Sequence, residues 1–250
     1  MRFFTFLILA LLMLSCSSDD DGGSNSGLLK KVIYTLENGD LQTGTYTYNG
    51  NKFSKITYSG ENGSSIVHVN YTGDVISEML YYTDDEAEPI QTETFLYDAQ
   101  NRLSVYVYKQ LEFDLGFKET YVYNDNGTIT YSHFDGDAAI QDNLEHTGII
   151  YFTAGEVSSI VEDYPFYSTT TTYEYDSMKN PFVNVTGYNK IYFTDAESDG
   201  RMHNVVSADY TNDDDPYTDL SSYTYNEDGF PVTMTGNDYD EEVNVEYIYY

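Results

Sequence analysis

The sequence predicts an all-β chain, an antiparallel meander of repeated hairpins that curls into a barrel-like single domain over residues 28–250. Three observations carry this. One short pattern recurs: an aromatic or apolar residue, any residue, a tyrosine, a polar turn with Gly or Asn, then an apolar residue. "YTYNGNKF", "FLYDAQNRL", "YVYNDNGTI" and "YTYNEDGF" are copies of it. The flanking runs alternate Tyr, Val, Ile, Phe and Thr with polar residues, as strands do. No stretch beyond residue 28 sustains an apolar 3.6-residue period, so helix should be nearly absent.

The hairpins follow in order. The pattern stands at Tyr46/Tyr48 with Phe53, Val69/Tyr71 with Val75, Phe95/Tyr97 with Leu103, and Tyr121/Tyr123 with Ile129. A weaker copy is Ile150/Phe152 with Val157. Tyr173/Tyr175 with Phe182 and Tyr223/Tyr225 with Phe230 complete the series, and residues 195–202 read as a degenerate copy. Asn-Gly, Asp-Gly and Gly-Asp tolerate positive φ, so each copy is a strand, a tight turn and a strand. About fifteen such strands exceed the ~10 that a twisted open sheet holds before it curls, closes or splits. A two-sheet β-sandwich is the alternative.

Residues two apart share one face of a strand. Tyr46 and Tyr48, Tyr121 and Tyr123, Tyr173 and Tyr175, and Tyr223 and Tyr225 therefore point one way. Thr47, Val122, Glu174 and Thr224 point the other. A repeated tyrosine pair is explained by packing, with the ring covering apolar area and the hydroxyl reaching water or a carbonyl. The alternative makes these eight tyrosines a ligand-facing stacking surface.

The N-terminus sets the address. Arg2 precedes an apolar run over residues 3–14, too short for a permanent membrane helix but suited to a signal-peptide core. The run ends in Leu14-Ser15-Cys16, with the only cysteine of the chain. This resembles the bacterial lipoprotein cleavage site, which implies loss of residues 1–15 and acylation of Cys16. Acyl chains would hold the protein on a membrane, and no second thiol remains for a disulfide or thiolate site. Residues 16–27 form the lipidated cysteine and a flexible acidic tether. "CSSDDD" resembles the acidic export signal of Bacteroidota surface lipoproteins, which implies an outer-membrane, surface-exposed location.

The chain has 42 acidic and 11 basic residues, a formal net charge of −31. Such a surface repels phosphate backbones, so nucleic acid is excluded as a partner. The acidic residues cluster in turns, at Asp84-Asp85-Glu86, Asp213-Asp214-Asp215 and Asp240-Glu241-Glu242, and read as solvated loops.

"YDAQNRL" and "YNEDGFP" look like the tyrosine–aspartate repeats of Rhs-type proteins. "YEYDSMKNPF" with "YTYNEDGFPVTM" resembles more closely the YD-like β-repeat lipoproteins of Bacteroidota. The resemblance spans most of residues 45–250 and implies an envelope lipoprotein. Its motifs specify hairpins, not catalysis.

Catalytic signals are weak. His68, His133, His146 and His203 show no paired-ligand spacing. His133 shares a strand face with Asp135 if the strand continues, but an exposed strand-end histidine is expected. No GxSxG or phosphate loop is present. Paired carboxylates, the basis of a hydrolase reading, are commonplace in so acidic a chain. "DAESDG" places Asp195, Glu197 and Asp199 at the first, third and fifth positions of a calcium loop, but Val206 stands where a bidentate Glu is needed. The terminal "VEYIYY" raises a transmembrane barrel. Lys55, Glu78, Glu119 and Glu174 within strands argue against a lipid-facing band. The expectation is a non-catalytic lipoprotein that binds a glycan, a peptide or an outer-membrane partner, with a structural or adhesive role as alternative.

Overall fold

The computed structural model describes residues 27–250 except 37–38, 62, 84–86, 213–215 and 239–240. The signal segment, Cys16 and the tether up to residue 26 lie outside the described residues, as do two of the acidic turn clusters and Asp240.

Sixteen strands follow one another: β1 Leu29–Thr35, β2 Leu41–Asn49, β3 Lys52–Gly60, β4 Gly63–Thr72, β5 Val75–Thr83, β6 Gln91–Tyr97, β7 Leu103–Gln110 and β8 Leu115–Tyr123. Then come β9 Ile129–Gly136, β10 Gln141–Thr153, β11 Glu156–Asp163, β12 Ser168–Tyr175, β13 Val205–Thr211, β14 Tyr217–Tyr225, β15 Pro231–Asp238 and β16 Glu241–Tyr249. Every strand pairs antiparallel with its sequence neighbours, and β1 closes on β16 with Val32 opposite Tyr247. The curled-meander expectation holds, as a closed barrel and not a two-sheet sandwich. Closure removes both edges of the sheet.

Alternation in β2–β5 runs inward-apolar, outward-polar, while Leu96, Val122, Leu220 and Ile248 are apolar residues exposed on the outer face of other strands. Tyr46, Phe53, Ile56, Val67, Val69 and Ile76 are buried in one apolar cluster that fills the barrel. Between them on the same strands, Thr47, Lys55, His68, Asn70 and Glu78 face out. Lipid would require the reverse, an outward apolar belt. Glu119 is the exception to the sequence argument: it points inward and is fully buried, because it continues the inward face of Tyr121 and Tyr123.

The repeat has a finer grammar than the tyrosine pair. In six neighbouring strand pairs the register slips just before the second aromatic, as between Thr47 and Tyr48 or Leu96 and Tyr97. The extra residue after the turn is often serine: Ser54, Ser77, Ser104 and Ser158. Ser77 and Ser104 donate to the carbonyls of Asn70 and Leu96 at 3.2 and 3.1 Å. Such bulges bend and twist a strand, which helps the sheet curl shut. The second tyrosine laces the wall to the preceding hairpin. Tyr48 and Tyr97 hydroxyls donate to the Leu29 and Ile76 carbonyls at 2.7 and 2.6 Å. In the last pair it is the first tyrosine, Tyr223, that reaches the Val205 carbonyl, at 3.1 Å, while Tyr225 donates to Asp176. The Tyr71 hydroxyl accepts from the Phe53 amide at 3.1 Å. Each backbone bond reaches the strand start one repeat upstream. The weak copy carries Phe152 and lacks this hydroxyl.

A sixteen-stranded barrel would ordinarily enclose a wide lumen. Residues 176–204, between β12 and β13, fold into it from the end that carries the repeat turns. Phe182 therefore is not the residue across the turn from Tyr175; Val205 is. Residues 195–202 likewise belong to this insertion and form no hairpin. Val185, Tyr188, Ile191, Tyr192 and Phe193 of the insertion are buried against the wall. The buried Glu156 carboxylate fixes its return, accepting from the amides of Arg201, Met202 and His203 at 2.8, 2.8 and 3.1 Å. Gly187, at φ 87°, packs onto the β4–β5 turn where a Cβ would come within 3.0 Å of the Ile76 amide.

Candidate functional site

The turn end of the barrel is thus plugged and apolar. The opposite half of the lumen, toward the β1–β2, β9–β10 and β11–β12 loops, is more polar and includes two cavities that border the insertion. One, of about 490 Å³, runs along the insertion between β1–β6 and β13, β14 and β16; Tyr34, Tyr58, Tyr81, Glu93 and Asp199 line it, together with apolar residues such as Leu29 and Phe53. The other, of about 390 Å³, is bounded by His133, Glu145, His146, Glu162, Tyr164 and Asp195.

In the first cavity Glu93 accepts from the Tyr81 hydroxyl at 2.6 Å and the Gln91 amide at 3.2 Å. Burial raises its pKa, and these bonds only partly counter it. Asp199 is ringed by the barrel wall yet keeps accessible surface, because it faces the cavity and not packed atoms. That enclosure also raises its pKa.

In the second cavity rings stack across neighbouring strands. Phe117 lies 4.7 Å from His133, His133 4.7 Å from His146, and His146 4.4 Å from Tyr164, centroid to centroid. Gly148 on β10 makes room for this floor, since a Cβ there would fall 2.2 Å from the Tyr131 ring opposite. His133 Nδ1 meets the buried Glu119 carboxylate at 3.3 Å. Glu119 also accepts from the Asp195 amide at 3.0 Å and from the Tyr121 hydroxyl. Burial opposes a charge on His133, but Glu119, Asp135 and Glu145 outweigh it and raise the pKa above 6.5. Asp195 is raised to about 6, by burial first and then by the Glu119 charge. Glu162 goes the other way: burial would raise it, but His146, Thr169 and Tyr164 hold it below its ordinary value. Asp195 and Ala196 have φ of 60° and 53°, two successive left-handed residues at the tip of the insertion. Non-glycine residues there are strained, and such strain concentrates at functional sites.

His133 is therefore not an exposed strand-end residue: its side chain is 12% exposed and sits within the lumen. The eight tyrosines of the repeated pairs all point inward. Tyr46, Tyr121 and Tyr173 are buried, and Tyr48, Tyr123, Tyr175, Tyr223 and Tyr225 pack against that core or bond to neighbouring groups. Asp195 and Glu197 border the histidine cavity, whereas Asp199 faces the other. Among the described residues, the one group of three metal-ligating side chains within reach of each other is His133, Asp135 and Glu145.

Sequence reasoning gave His146 and Glu119 no part in a site and passed over Glu162. The signal was available for Glu119: the inward face of a tyrosine pair, extended two residues away from its turn, gives the lumen of the open half. For His146 it was hidden by two bulges in β10.

No family model matches the chain, and no curated protein matches it. Among solved structures of similar fold is a porin-like protein from Bacteroides uniformis, at TM-score 0.53 and 10% identity, covering 89% of this chain and 98% of that one. The likeness is one of barrel architecture.

Proposed function

We propose that this chain is a non-catalytic, outer-membrane lipoprotein, anchored through Cys16 and displayed at the cell surface, that binds a glycan in the open half of its barrel. The observation that carries the reading is the cavity of about 490 Å³ beside the insertion. Tyr34, Tyr58 and Tyr81 offer ring faces, and Glu93 and Asp199 offer acceptors, the combination that takes up a sugar's apolar face and its hydroxyls. The polar outer wall supports a tethered domain in water over a pore. The porin-like neighbour is compatible with an envelope location, and the Bacteroidota-like lipoprotein signal points the same way.

The test has two arms. Cys16→Ser should move the protein from washed membranes to the soluble fraction, and retention in membranes would overturn the anchor. A panel of neutral oligosaccharides should then raise the melting temperature of the released protein saturably, as any ligand of the folded state does. Tyr58→Ala, at the cavity mouth, should abolish the rise. No shift with any saccharide would sink the glycan reading and leave the structural or adhesive role.

A further inference from the structure

We infer that the β9–β10 hairpin carries a binding site for a first-row divalent metal ion such as Zn²⁺, ligated by His133 Nε2, Asp135 and Glu145. This goes beyond the glycan reading and does not depend on it.

The argument begins with the backbone. β9 and β10 pair with register slips between Gln141 and Asn143 and between Leu144 and His146. The second slip leaves Glu145 as the extra residue, so that it and His146, though adjacent in sequence, both approach His133. Bulges re-aim side chains in this way beside functional sites. His133 Nε2 lies 3.5 Å from an Asp135 oxygen and 3.9 Å from a Glu145 oxygen. Ligands at about 2.0 Å around a tetrahedral Zn²⁺ stand about 3.3 Å apart, so the three atoms need to move little to share an ion.

The placement of carboxylates around the two rings points the same way. Glu119 is fully buried and takes the Nδ1 side of His133. A carboxylate there orients the ring with Nε2 toward Asp135 and Glu145, the arrangement that backs metal-ligating histidines. His146 repeats the device. Its Nε2 faces Glu162 at 3.2 Å, and its Nδ1 lies 3.3 Å from the same Glu145 oxygen that His133 approaches. Two histidines, each backed by a carboxylate, thus converge on one carboxylate oxygen. Asp135 and Glu145 side chains are 47% and 45% exposed, so the ion can enter from the barrel mouth and keep a position for water. One nitrogen with two carboxylates suits a first-row transition ion; calcium takes oxygen ligands alone.

The experiment is a calorimetric titration of Zn²⁺ into the chelator-treated full chain. One equivalent should bind. Asp135→Asn with Glu145→Gln should abolish it; both residues are half exposed, so this variant should keep its fold, as checked by its melting curve. His133→Ala should do the same if it folds. Glu119→Gln keeps all three ligands and should weaken affinity about 10–100-fold, the usual effect of removing a backing carboxylate. His68→Ala, on the outer wall, should leave binding unchanged. Absence of saturable binding in the wild-type chain would overturn the proposal. So would binding that survives the Asp135/Glu145 double change.

Discussion

The two halves of the lumen are built from the same strands by opposite means. In the turn half, inward positions are Leu29, Phe53, Ile76, Leu103, Ile150 and Val157, which join the insertion in one apolar core. In the open half, the strands present Tyr34, Tyr58, Tyr81, His133, His146 and Glu162 to cavities, with Glu119 buried behind His133. The turn half has apolar burial and a ring of tyrosine-to-backbone bonds. The open half has carboxylates held by hydroxyls, amides and imidazoles, with space beside them. Stability is concentrated where the repeat is regular, and chemistry collects where the repeat ends. Strands long enough to leave the repeat behind supply a second, independent lining.

Three perturbations probe that division. The largest effect should come from replacing residues 177–203 by a two-residue turn. Five buried side chains, Val185, Tyr188, Ile191, Tyr192 and Phe193, would be lost from the core. Each contributes about 1.5–3 kcal/mol, which together rivals the ~5–15 kcal/mol stability of a whole domain. The shortened protein should lose cooperative thermal unfolding. A sharp melt near the wild-type temperature would mean that the turn half does not need its plug.

A smaller effect separates the lacing tyrosines from those at the mouth. Tyr97→Phe deletes the 2.6 Å bond to the Ile76 carbonyl and leaves the ring in place. It should cost about 1 kcal/mol in urea denaturation, more if the buried carbonyl finds no water. Tyr108→Phe removes a longer bond, 3.3 Å to Gln91, in the open half and should cost less. Equal losses would erase the distinction.

The smallest effect concerns pH. Burial raises the Glu93 pKa above its ordinary 4.5, so the folded state holds that proton more tightly than the unfolded chain does. Its contribution is fully present below the unfolded value and is lost as pH rises through the folded one. Glu93→Gln removes the titration. Its stability relative to wild type should therefore improve as pH increases from 4 to 7, measured by urea midpoints at each pH. A gap that stays constant would show that cavity water solvates the carboxylate in full.

Local pattern determined a great deal. The tyrosine pairs and their Asn-Gly and Asp-Gly turns specified hairpins, and alternation placed Tyr46, Tyr121 and Tyr173 on one face, because both are properties of short stretches. The φ-Ser signature after the turn, as in Phe53-Ser54 and Leu103-Ser104, was equally local and marks the bulges. Tertiary structure decided what depends on residues far apart. Closure needs β1 and β16, from opposite ends of the described chain, to meet. The fate of residues 176–204 depended on the empty lumen that only closure creates; their apolar residues show no period of their own. The histidine cluster depended on slips in the β9–β10 register, and one slip reverses the facing of every residue beyond it. Side-chain alternation is written in the chain, whereas the interior toward which it points exists only once the barrel has closed.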